Sequence, residues 1–453
     1  MPALKRVYID CTNTFDSGLQ TGIQRVVRNY VSCGTRLAPV VAVDCIPIIF
    51  RSRTIVGIRG LDDLAHRQHR YALRVYLNRA YLASVRWLAS VVPSASVRRI
   101  LLAHPSELGL ARLLYSPISA WGWLRSRWRV ARSANAGVGV SISGGDILFL
   151  ADAAWPTDMH GCFDRVKESN GKVVFLIYDL IPLTHPSFYY PAFVARFREW
   201  FLGVINVADF LICISRFTQE SLIAYLSVTG SKIPPSAVVY LGCDFVSLGK
   251  DKIGHAGLRL ALAQSSNSFL CVGTLEPRKN LQLVIDAFES IWSDGSTASL
   301  ILIGRVGWLV DELLERIAQH PERNRRLFWF NDVNDADLNG AYAQARCLIF
   351  PSLVEGFGLP IVEALSRGLP VIASDIPVFR EIGEGNVRYF PPENAQGLAT
   401  AIKAEIAAPR GRGSDEYRWL SWEESTQQLL VTLKAFAEGR LASVSGPSLR
   451  PRS

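Results

Sequence analysis

The sequence lacks the features of a secreted or membrane-spanning protein. No run approaches the roughly 18 uncharged apolar residues that a membrane-spanning helix needs, and the apolar stretch at 38–50 already contains Asp44. Met1 to Asp10 has no apolar run of signal-peptide length, so we expect it to form a first strand. The eight cysteines include no CxxC pair, and several lie in strand-like runs. We therefore expect buried free thiols in a reducing cytoplasm, not disulfides or a zinc site.

Lysine is absent from residues 59–132, although this segment is strongly basic. It holds 13 arginines and three acidic residues, a formal charge of +10 against +9 for the whole chain. It also holds Trp87, Trp121, Trp123 and Trp128. Arginines and aromatic residues beside an apolar helical face are typical of contact with an anionic membrane surface. Packing of this insertion on its own domain is the alternative, and no motif accompanies the charge that would indicate a nucleic-acid partner.

Strand-like apolar runs alternate with helical patterns, which predicts α/β domains with parallel sheets. The predicted strands lie at 7–10, 40–45, 147–152, 173–179, 210–215 and 237–242, then at 269–273, 299–304, 327–330, 347–352, 370–374 and 387–390. A polar stretch at about 246–267 separates the two sets. Because 453 residues exceed what a single core supports, we expect two Rossmann-like domains. Their active-site crevice is expected between them, at the carboxyl ends of the strands.

These patterns predict four segments of the chain. The N-terminal domain is predicted at 1–250, with the basic insertion at 59–132, and the C-terminal domain at 251–415. A helix at 416–437 is predicted to cross back to the first domain, and a disordered tail is predicted at 438–453. Ser421 and Glu424 predict a capping box at the start of that helix. The tail is rich in Ser, Pro and Arg, which is typical of disorder.

Residues 351–365, PSLVEGFGLPIVEAL, give the strongest indication of a ligand site. A predicted strand is followed by a loop with Gly356 and Gly358, where the backbone can approach a ligand closely, and then by a helix. Loop amides and a helix dipole favour an anion such as a pyrophosphate. Glu355 and Glu363 would repel phosphates, so we expect them to accept hydrogen bonds from sugar hydroxyls. An ordinary helix start with acidic residues is the alternative.

A second strand-to-loop motif, VGTLEPRKN at 272–280, places two cations ahead of a predicted helix. Arg278 and Lys279 precede Asn280, which is predicted to be the N-cap. Two cations at a helix N-terminus are unfavourable unless an anion lies there, and a nucleotide diphosphate meets that need. A solvated loop is the alternative.

With these two motifs the chain resembles the family 4 glycosyltransferases, which are retaining enzymes with the GT-B fold. It resembles in particular bacterial mannosyltransferases of surface polysaccharide synthesis. The family's two glutamates with seven residues between them match Glu355 and Glu363, and its diphosphate-binding loop matches Gly273 to Lys279. The similarity also covers residues 177–188, 213–222 and 238–244.

The resemblance implies roles for the matching residues. Glu355 contacts the donor sugar and Glu363 contacts the ribose. Lys279 binds the phosphates. Many members carry a second cation, an arginine, where this chain has Thr274, so Arg278 is the candidate for that cation's role. The donor-binding positions implied in this way are Gly22, Gly273, Thr274, Val333, Gly356, Phe357, Gly358, Leu359 and Glu363.

The resemblance leaves the sugar-contacting residue of the N-terminal domain open. Many relatives have a histidine near the sugar where this chain has Tyr178. Asp179 and His185 are therefore the catalytic candidates from this domain, beside Glu355 and the two cations. For His185, a structural role is the alternative.

A DxD pattern at 335–337 matches the metal motif of the other large glycosyltransferase fold. Its position predicts the acidic first turn of a helix instead. We therefore expect no metal and no cofactor beyond a nucleotide-sugar co-substrate.

The implied reaction transfers a hexose to a hydroxyl group with retention of configuration. Mannose from GDP-mannose is the favoured donor, with a UDP-sugar or GDP-fucose as the alternatives. The implied acceptor is a lipid-linked saccharide at the cytoplasmic face of the membrane. A sugar-nucleotide epimerase, a phosphorylase of the same fold, and a nucleotide-sugar-binding protein without activity are the rival interpretations.

Overall fold

The computed structural model of the chain describes residues 3–17, 21–51, 54–61, 139–153, 161–243, 253–409 and 417–440. The predictions for the basic insertion beyond residue 61, and for the tail beyond residue 440, therefore lie outside the described residues. The chain packs as two compact units, Leu4–Lys172 and a second that combines Met1–Ala3 with Val173–Ser453. The predicted domain boundary near residue 250 lies inside the second unit and stays a prediction.

The first unit is built on a small, mostly parallel set of strands. Its described elements are β1 (Arg6–Asp10), α1 (Thr12–Ser17), α2 (Gly22–Val41), β2 (Asp44–Arg51), β3 (Thr54–Gly57), β4 (Asp146–Leu150) and α3 (Cys162–Glu168). Strand β1 pairs in parallel with β2 and with β4, and β3 is antiparallel to β2. All five residues of β4 are buried, as expected for a strand covered on both faces.

The second unit begins with the predicted strand at 173–179. Its first elements are β5 (Lys172–Ile177), α4 (Ile181–Thr184), α5 (Pro191–Val207), β6 (Phe210–Cys213), α6 (Arg216–Val228) and β7 (Ser236–Val238). The strands pair in parallel in the order β5-β6-β7.

The rest of the second unit forms a six-stranded parallel sheet and its helices. The elements are α7 (Ala256–Ala263), β8 (Ser268–Val272), α8 (Leu281–Ser293), β9 (Ser299–Ile303), α9 (Asp311–Gln319), β10 (Leu327–Phe330), α10 (Asp335–Gln344), β11 (Cys347–Phe350), α11 (Leu359–Leu365), β12 (Val371–Ser374), α12 (Pro377–Gly383), β13 (Val387–Phe390), α13 (Ala395–Ala407) and α14 (Trp422–Ala437). Short 3-10 turns lie at Pro186–Phe188, Pro277–Lys279 and Glu384–Asn386.

The strand order of this sheet, β10-β9-β8-β11-β12-β13, is that of the doubly wound dinucleotide-binding fold. The chain winds outward in one direction from β8 and in the other from β11. Ligands of such sheets bind beyond the carboxyl ends of the two strands at this reversal. The loops after β8 and β11 are the two motifs that the sequence singled out.

The apolar core of this sheet explains its stability. Strand β9 is buried along its whole length, and α8 buries Val284, Ile285, Phe288 and Ile291. These positions follow helical spacing, so one face of α8 covers the sheet while the other meets solvent.

The predicted strand at 40–45 is wrong over its first half. Helix α2 continues to Val41 and ends where Ala42 adopts a left-handed conformation, with φ of 53° and its amide bonded to Ala38 O. The strand begins only at Asp44. An apolar run of this length fits a buried helix end as well as a strand, and the helical spacing from Val26 onward decides the outcome. The polar stretch at 246–267 likewise contains a helix, α7.

Helix α14 packs against β6 and against the segment that follows β7. The predicted capping box at Ser421 and Glu424 is confirmed. The Phe436 ring stacks on Phe210 with 4.5 Å between ring centroids, and the Ser425 hydroxyl donates to Tyr240 O at 2.6 Å.

Two sequence predictions about side chains are also confirmed. All eight cysteines are buried free thiols. The DxD pattern forms the acidic first turn of α10, where Asn334 caps the helix and Asp337 accepts a hydrogen bond from the Gly254 amide at 2.6 Å. Across the described ranges, no helix is both long and apolar enough to span a bilayer.

Candidate active site

The loop after β8 carries the two cations in a short 3-10 turn, Pro277–Lys279. Gly273 begins the loop with φ of 144°, a conformation that L side chains rarely adopt. Asn280 stands at the N-cap position of α8 but does not cap the helix with its side chain. It is left-handed, with φ of 52°, and its amide group donates to Pro392 O at 2.8 Å. Asn280 is therefore the N-cap residue of α8, as predicted, but its side chain makes no capping hydrogen bond.

The two cations converge on Glu355 from the loop after β11. Lys279 Nζ contacts Glu355 Oε1, and Arg278 Nη1 lies 2.5 Å from Glu355 Oε2. The Ser352 hydroxyl also donates to Glu355 Oε1, at 2.9 Å. All three charged side chains are largely buried, so water screens their attraction little.

The ionisation of this cluster follows from burial and charge. Burial alone would raise the pKa of Glu355, but Arg278 and Lys279 outweigh it and hold the pKa at about 2. Burial lowers the pKa of Lys279, against the raising effect of Glu355. The carboxylate is therefore ionised at neutral pH and satisfies both cations.

Two further carboxyl groups lie near Arg278. Glu276, which is 4% exposed, accepts from Arg278 Nη2 at 2.7 Å. The other oxygen of Glu276 and the Arg278 Nε are buried without a partner within the described residues. Asp179 follows β5 and accepts from the Ile181 amide at 3.0 Å. Burial raises the pKa values of both acids, against the lowering effect of Arg278.

The second glutamate of the motif has a different partner. Glu363 lies in α11 and is 8% exposed. Its Oε2 accepts from the Tyr342 hydroxyl at 3.0 Å, and Arg367 donates to its backbone carbonyl at 2.7 Å. A tyrosine hydroxyl leaves the carboxylate able to accept further hydrogen bonds.

The glycine loop between Glu355 and α11 is tightly packed. A Cβ on Gly356 would lie 2.0 Å from Tyr178 O, so the backbone of this loop contacts the end of β5. Gly358 has φ of 118°. Phe357 is buried and meets the Trp419 ring edge-on, with centroids 5.8 Å apart. Leu359 begins α11, with Pro360 in the first turn.

A small recess lies between the ends of β8 and β11. Its lining includes Gly273, Thr274, Lys279, Phe350 and Pro351. The ammonium of Lys279 lies over the Phe350 ring, 4.8 Å from its centroid. All five of these residues belong to the two loops at the strand-order reversal or to the ends of their strands. The recess therefore lies beside Lys279.

Three predicted residues are not in this cluster. His185 is exposed, with its ring beside Phe188 and its Nδ1 2.9 Å from the Thr184 hydroxyl. Val333 is half-buried in the loop between β10 and α10. Gly22 begins α2 in the first unit, and a Cβ there would meet nothing within 4 Å. In the part of the chain that the structure describes, no group of His, Cys, Asp and Glu is arranged to hold a metal ion.

Sequence reasoning missed three contributors. Glu276 lies in the 272–280 motif, but the sequence does not show that its side chain pairs with Arg278. Ser215 and Thr218 donate to Gly356 O at 2.7 and 3.0 Å, although 141 and 138 residues separate them from it. No local signal in the sequence reports a contact of that separation.

Residues 259–412 match the family of glycosyl transferases group 1. Over 289 residues the chain is 34% identical to the serotype-specific mannosyltransferase WbdA of Escherichia coli, covering 60% of this chain and 35% of that protein. It is 27% identical over 275 residues to O-antigen chain mannosyltransferase B of Escherichia coli, covering 58% of this chain and 70% of that protein. The chain thus spans about a third of the length of the WbdA relative.

A solved structure shows the same fold over almost the whole chain. The crystal structure of Anabaena Alr3699/HepE in complex with UDP and glucose aligns with a TM-score of 0.54 at 15% identity, covering 97% of this chain and all of that one. The predicted architecture of two Rossmann-like domains is therefore confirmed. The chain has the GT-B fold, and its residues 259–412 match the glycosyl transferase group 1 family.

Proposed function

We propose that the chain is a retaining glycosyltransferase that moves a hexose from a nucleotide diphosphate sugar to a hydroxyl group. The observation that carries this proposal is the buried pairing of Arg278 and Lys279 with Glu355 at the strand-order reversal. An incoming diphosphate can replace Glu355 as the partner of both cations. The released carboxylate can then accept a hydrogen bond from the donor sugar.

In the proposed reaction, the bond between the anomeric carbon and the diphosphate oxygen breaks, and its electron pair leaves with the diphosphate. The acceptor oxygen forms the new bond on the same face of the sugar, so the configuration is retained. The proton of the acceptor hydroxyl passes to an oxygen of the departing phosphate. Arg278 and Lys279 stabilise the negative charge that grows on the leaving group.

We propose GDP-mannose as the donor. The relatives at 34% and 27% identity are both named mannosyltransferases, which supports the sugar. The Anabaena structure of the same fold holds UDP and glucose, so a UDP-sugar is the alternative to test beside it. The proposed metal-free mechanism uses the two cations in the place of a divalent ion.

We propose a lipid-linked saccharide as the acceptor, presented at an anionic membrane surface on the cytoplasmic side. The support is the charge of the segment 59–132, with its arginines and tryptophans. Co-sedimentation with vesicles tests the membrane contact. We expect binding to anionic vesicles that is lost in neutral ones, and equal binding to both would contradict it.

The decisive experiment for the donor is a thermal-shift screen of GDP- and UDP-sugars, followed by transfer assays with the sugar that stabilises the fold. We expect GDP-mannose to give the largest shift. NMR of the product then reports the anomeric configuration. An inverted product, or a donor converted to another sugar without acceptor, would rule out the proposed reaction.

The site is tested by Lys279→Ala. We expect kcat/KM to fall by roughly 10²-fold or more, a typical cost of losing a preorganised charge-stabilising group. Lys403→Ala is the matched control, because Lys403 forms an exposed pair with Asp294. Near-full turnover of Lys279→Ala would show that the diphosphate binds elsewhere.

A further inference from the structure

The loop that carries Glu355 is held by two hydroxyl groups at the start of α6. Ser215 Oγ and Thr218 Oγ1 both donate to Gly356 O, at 2.7 and 3.0 Å. Both side chains are buried, at 0% and 1% exposure. A carbonyl oxygen has two lone pairs, so this pair of donors satisfies it completely.

The same loop cannot shift toward β5. The Cα of Gly356 abuts Tyr178 O so closely that an added Cβ would lie 2.0 Å from it. On the other side, the Leu353 amide donates to Arg278 O at 2.8 Å, which ties the loop to the cation turn. The Gly356 carbonyl is thus the point at which the loop is fixed to α6.

Fixing this carbonyl also fixes the next amide. A trans peptide is planar, and its C=O and N–H point in opposite directions. The Phe357 N–H therefore points away from the two hydroxyls. Within the described ranges, this amide donates no hydrogen bond, although it follows Glu355 by only two residues.

We propose that Ser215 and Thr218 are positioning residues for the donor loop. They hold the Gly356 carbonyl so that the Phe357 amide faces the leaving diphosphate and the loop that carries Glu355 stays in place. This inference rests on the proposed function. It assigns to α6 an indirect part in catalysis, since neither hydroxyl is free to contact the donor.

Thr218→Val tests the proposal with little change in shape, because valine keeps the branched side chain and removes the hydroxyl. We expect kcat to fall roughly 10-fold with the donor KM within about 2-fold, since an interaction made mainly in the transition state is weakened. Thr218→Ser restores the hydroxyl and is expected to recover most of the rate. Ser215 is a poorer first target, because it also caps α6 by accepting from the Thr218 amide.

Thr426→Val is the matched control. Thr426 is also buried, at 1% exposure, and its hydroxyl also donates to a backbone carbonyl, that of Trp422 at 2.7 Å. It lies in α14, and this hydrogen bond is made within its own helix. A loss of rate equal to that of Thr218→Val would mean that any buried threonine hydroxyl has this effect, and would overturn the positioning role.

Hydrogen exchange gives a readout that does not depend on activity. We expect amides of residues 351–358 to exchange several-fold faster in Thr218→Val than in the wild type or in Thr218→Ser. Unchanged exchange would overturn the proposal even if the enzyme is a glycosyltransferase. If the wild type transfers no sugar but the loop exchanges faster in the variant, the proposed function fails while the hold on the loop stands.

Discussion

Buried carboxylates lie at the same topological place in the two sheets, but their surroundings differ. In the first unit, β1 lies between β2 and β4; in the second, β8 lies between β9 and β11. Asp10 ends β1 and Asp152 follows β4, just as the cation turn follows β8 and Glu355 follows β11. The carboxyl ends of the equivalent strands thus carry acidic side chains in both units.

In the first unit, these carboxylates accept hydrogen bonds from amides and a hydroxyl group of the same unit. Asp10 Oδ1 accepts from the Thr12 amide at 2.9 Å and from the Thr12 hydroxyl at 2.6 Å. Asp152 accepts from the amides of Thr14 and Ala153 at 2.6 and 2.8 Å. Burial, with the charge of Asp152, raises the pKa of Asp10 to about 7.

In the second unit, cations replace the amides, and the pKa of Glu355 falls to about 2. Burial acts in the same direction on both acids, so the difference comes from Arg278 and Lys279. A carboxylate that is hydrogen-bonded to its own loop fixes that loop. A carboxylate that is paired with cations can be displaced from them by an anion that binds them more strongly. The fold positions a buried carboxylate at the same strand ends in both units, and the neighbouring cations determine its ionisation.

The largest expected effect is a difference in activity between the two places. We expect Glu355→Ala to lower kcat/KM by roughly 10²-fold or more, and Asp10→Asn to change it by less than about 3-fold, because asparagine can still accept from Thr12. Rates are measured per folded protein with the donor that the thermal-shift screen selects. Equal losses in the two variants would break the comparison.

The next effect is the pH dependence from Asp10. Its pKa is raised from 3.8 to about 7 in the folded protein, so the folded state holds this proton more tightly and stability falls as pH rises between those values. From pH 5.5 to 7.5 we expect this group to cost about 2 kcal/mol. Urea unfolding of the wild type and Asp10→Asn measures it. A difference between them that does not change with pH would exclude the raised pKa.

The second glutamate offers a sharper contrast within the site. Glu363 accepts from the Tyr342 hydroxyl, and its proposed role is to bind the ribose. We expect Glu363→Ala to raise the donor KM about 10-fold with little change in kcat, as for binding shared by ground and transition states. Steady-state kinetics at varied donor measures this. A selective fall in kcat would instead give Glu363 a part in the chemical step.

The smallest effect is the pH dependence from Glu355, with the opposite sign. Its folded pKa lies below the ordinary 4.5, at about 2, so its stabilisation is present above pH 4.5 and is lost as pH falls toward 2. Between pH 5.5 and 3.5 we expect the wild type to lose about 1 kcal/mol relative to Glu355→Gln. Unfolding free energies at the two pH values test it. A gap that widens toward low pH would reverse the assigned charges.

Sequence patterns predicted the features that depend on near neighbours. The capping box at Ser421 and Glu424 and the acidic turn at 335–337 involve residues within four positions of each other. Where a pattern was locally ambiguous, the prediction failed. Residues 40–45 were apolar enough for either a strand or a helix end. Asn280 is the N-cap of α8 as predicted, but no local pattern showed that its side chain would bond to Pro392 O instead of capping the helix.

The partners of the site residues were beyond such patterns. Glu355 lies 76 residues from Lys279, and the two meet because β11 pairs with β8 and not with its sequence neighbour β10. His185 was a catalytic candidate because of its residue type, but the turn that follows β5 leaves its side chain exposed.

From the amino-acid order alone came the alternation of strands and helices, the two loops that can hold a ligand, and the charged residues in them. Those properties are set by side-chain periodicity and by the glycines and prolines that end each element. The tertiary structure alone decided that Glu355 pairs with two cations, that Glu276 pairs with Arg278, and that α6 holds the glycine loop. These contacts depend on the order in which distant strands pair, and that order follows from the packing of the whole core.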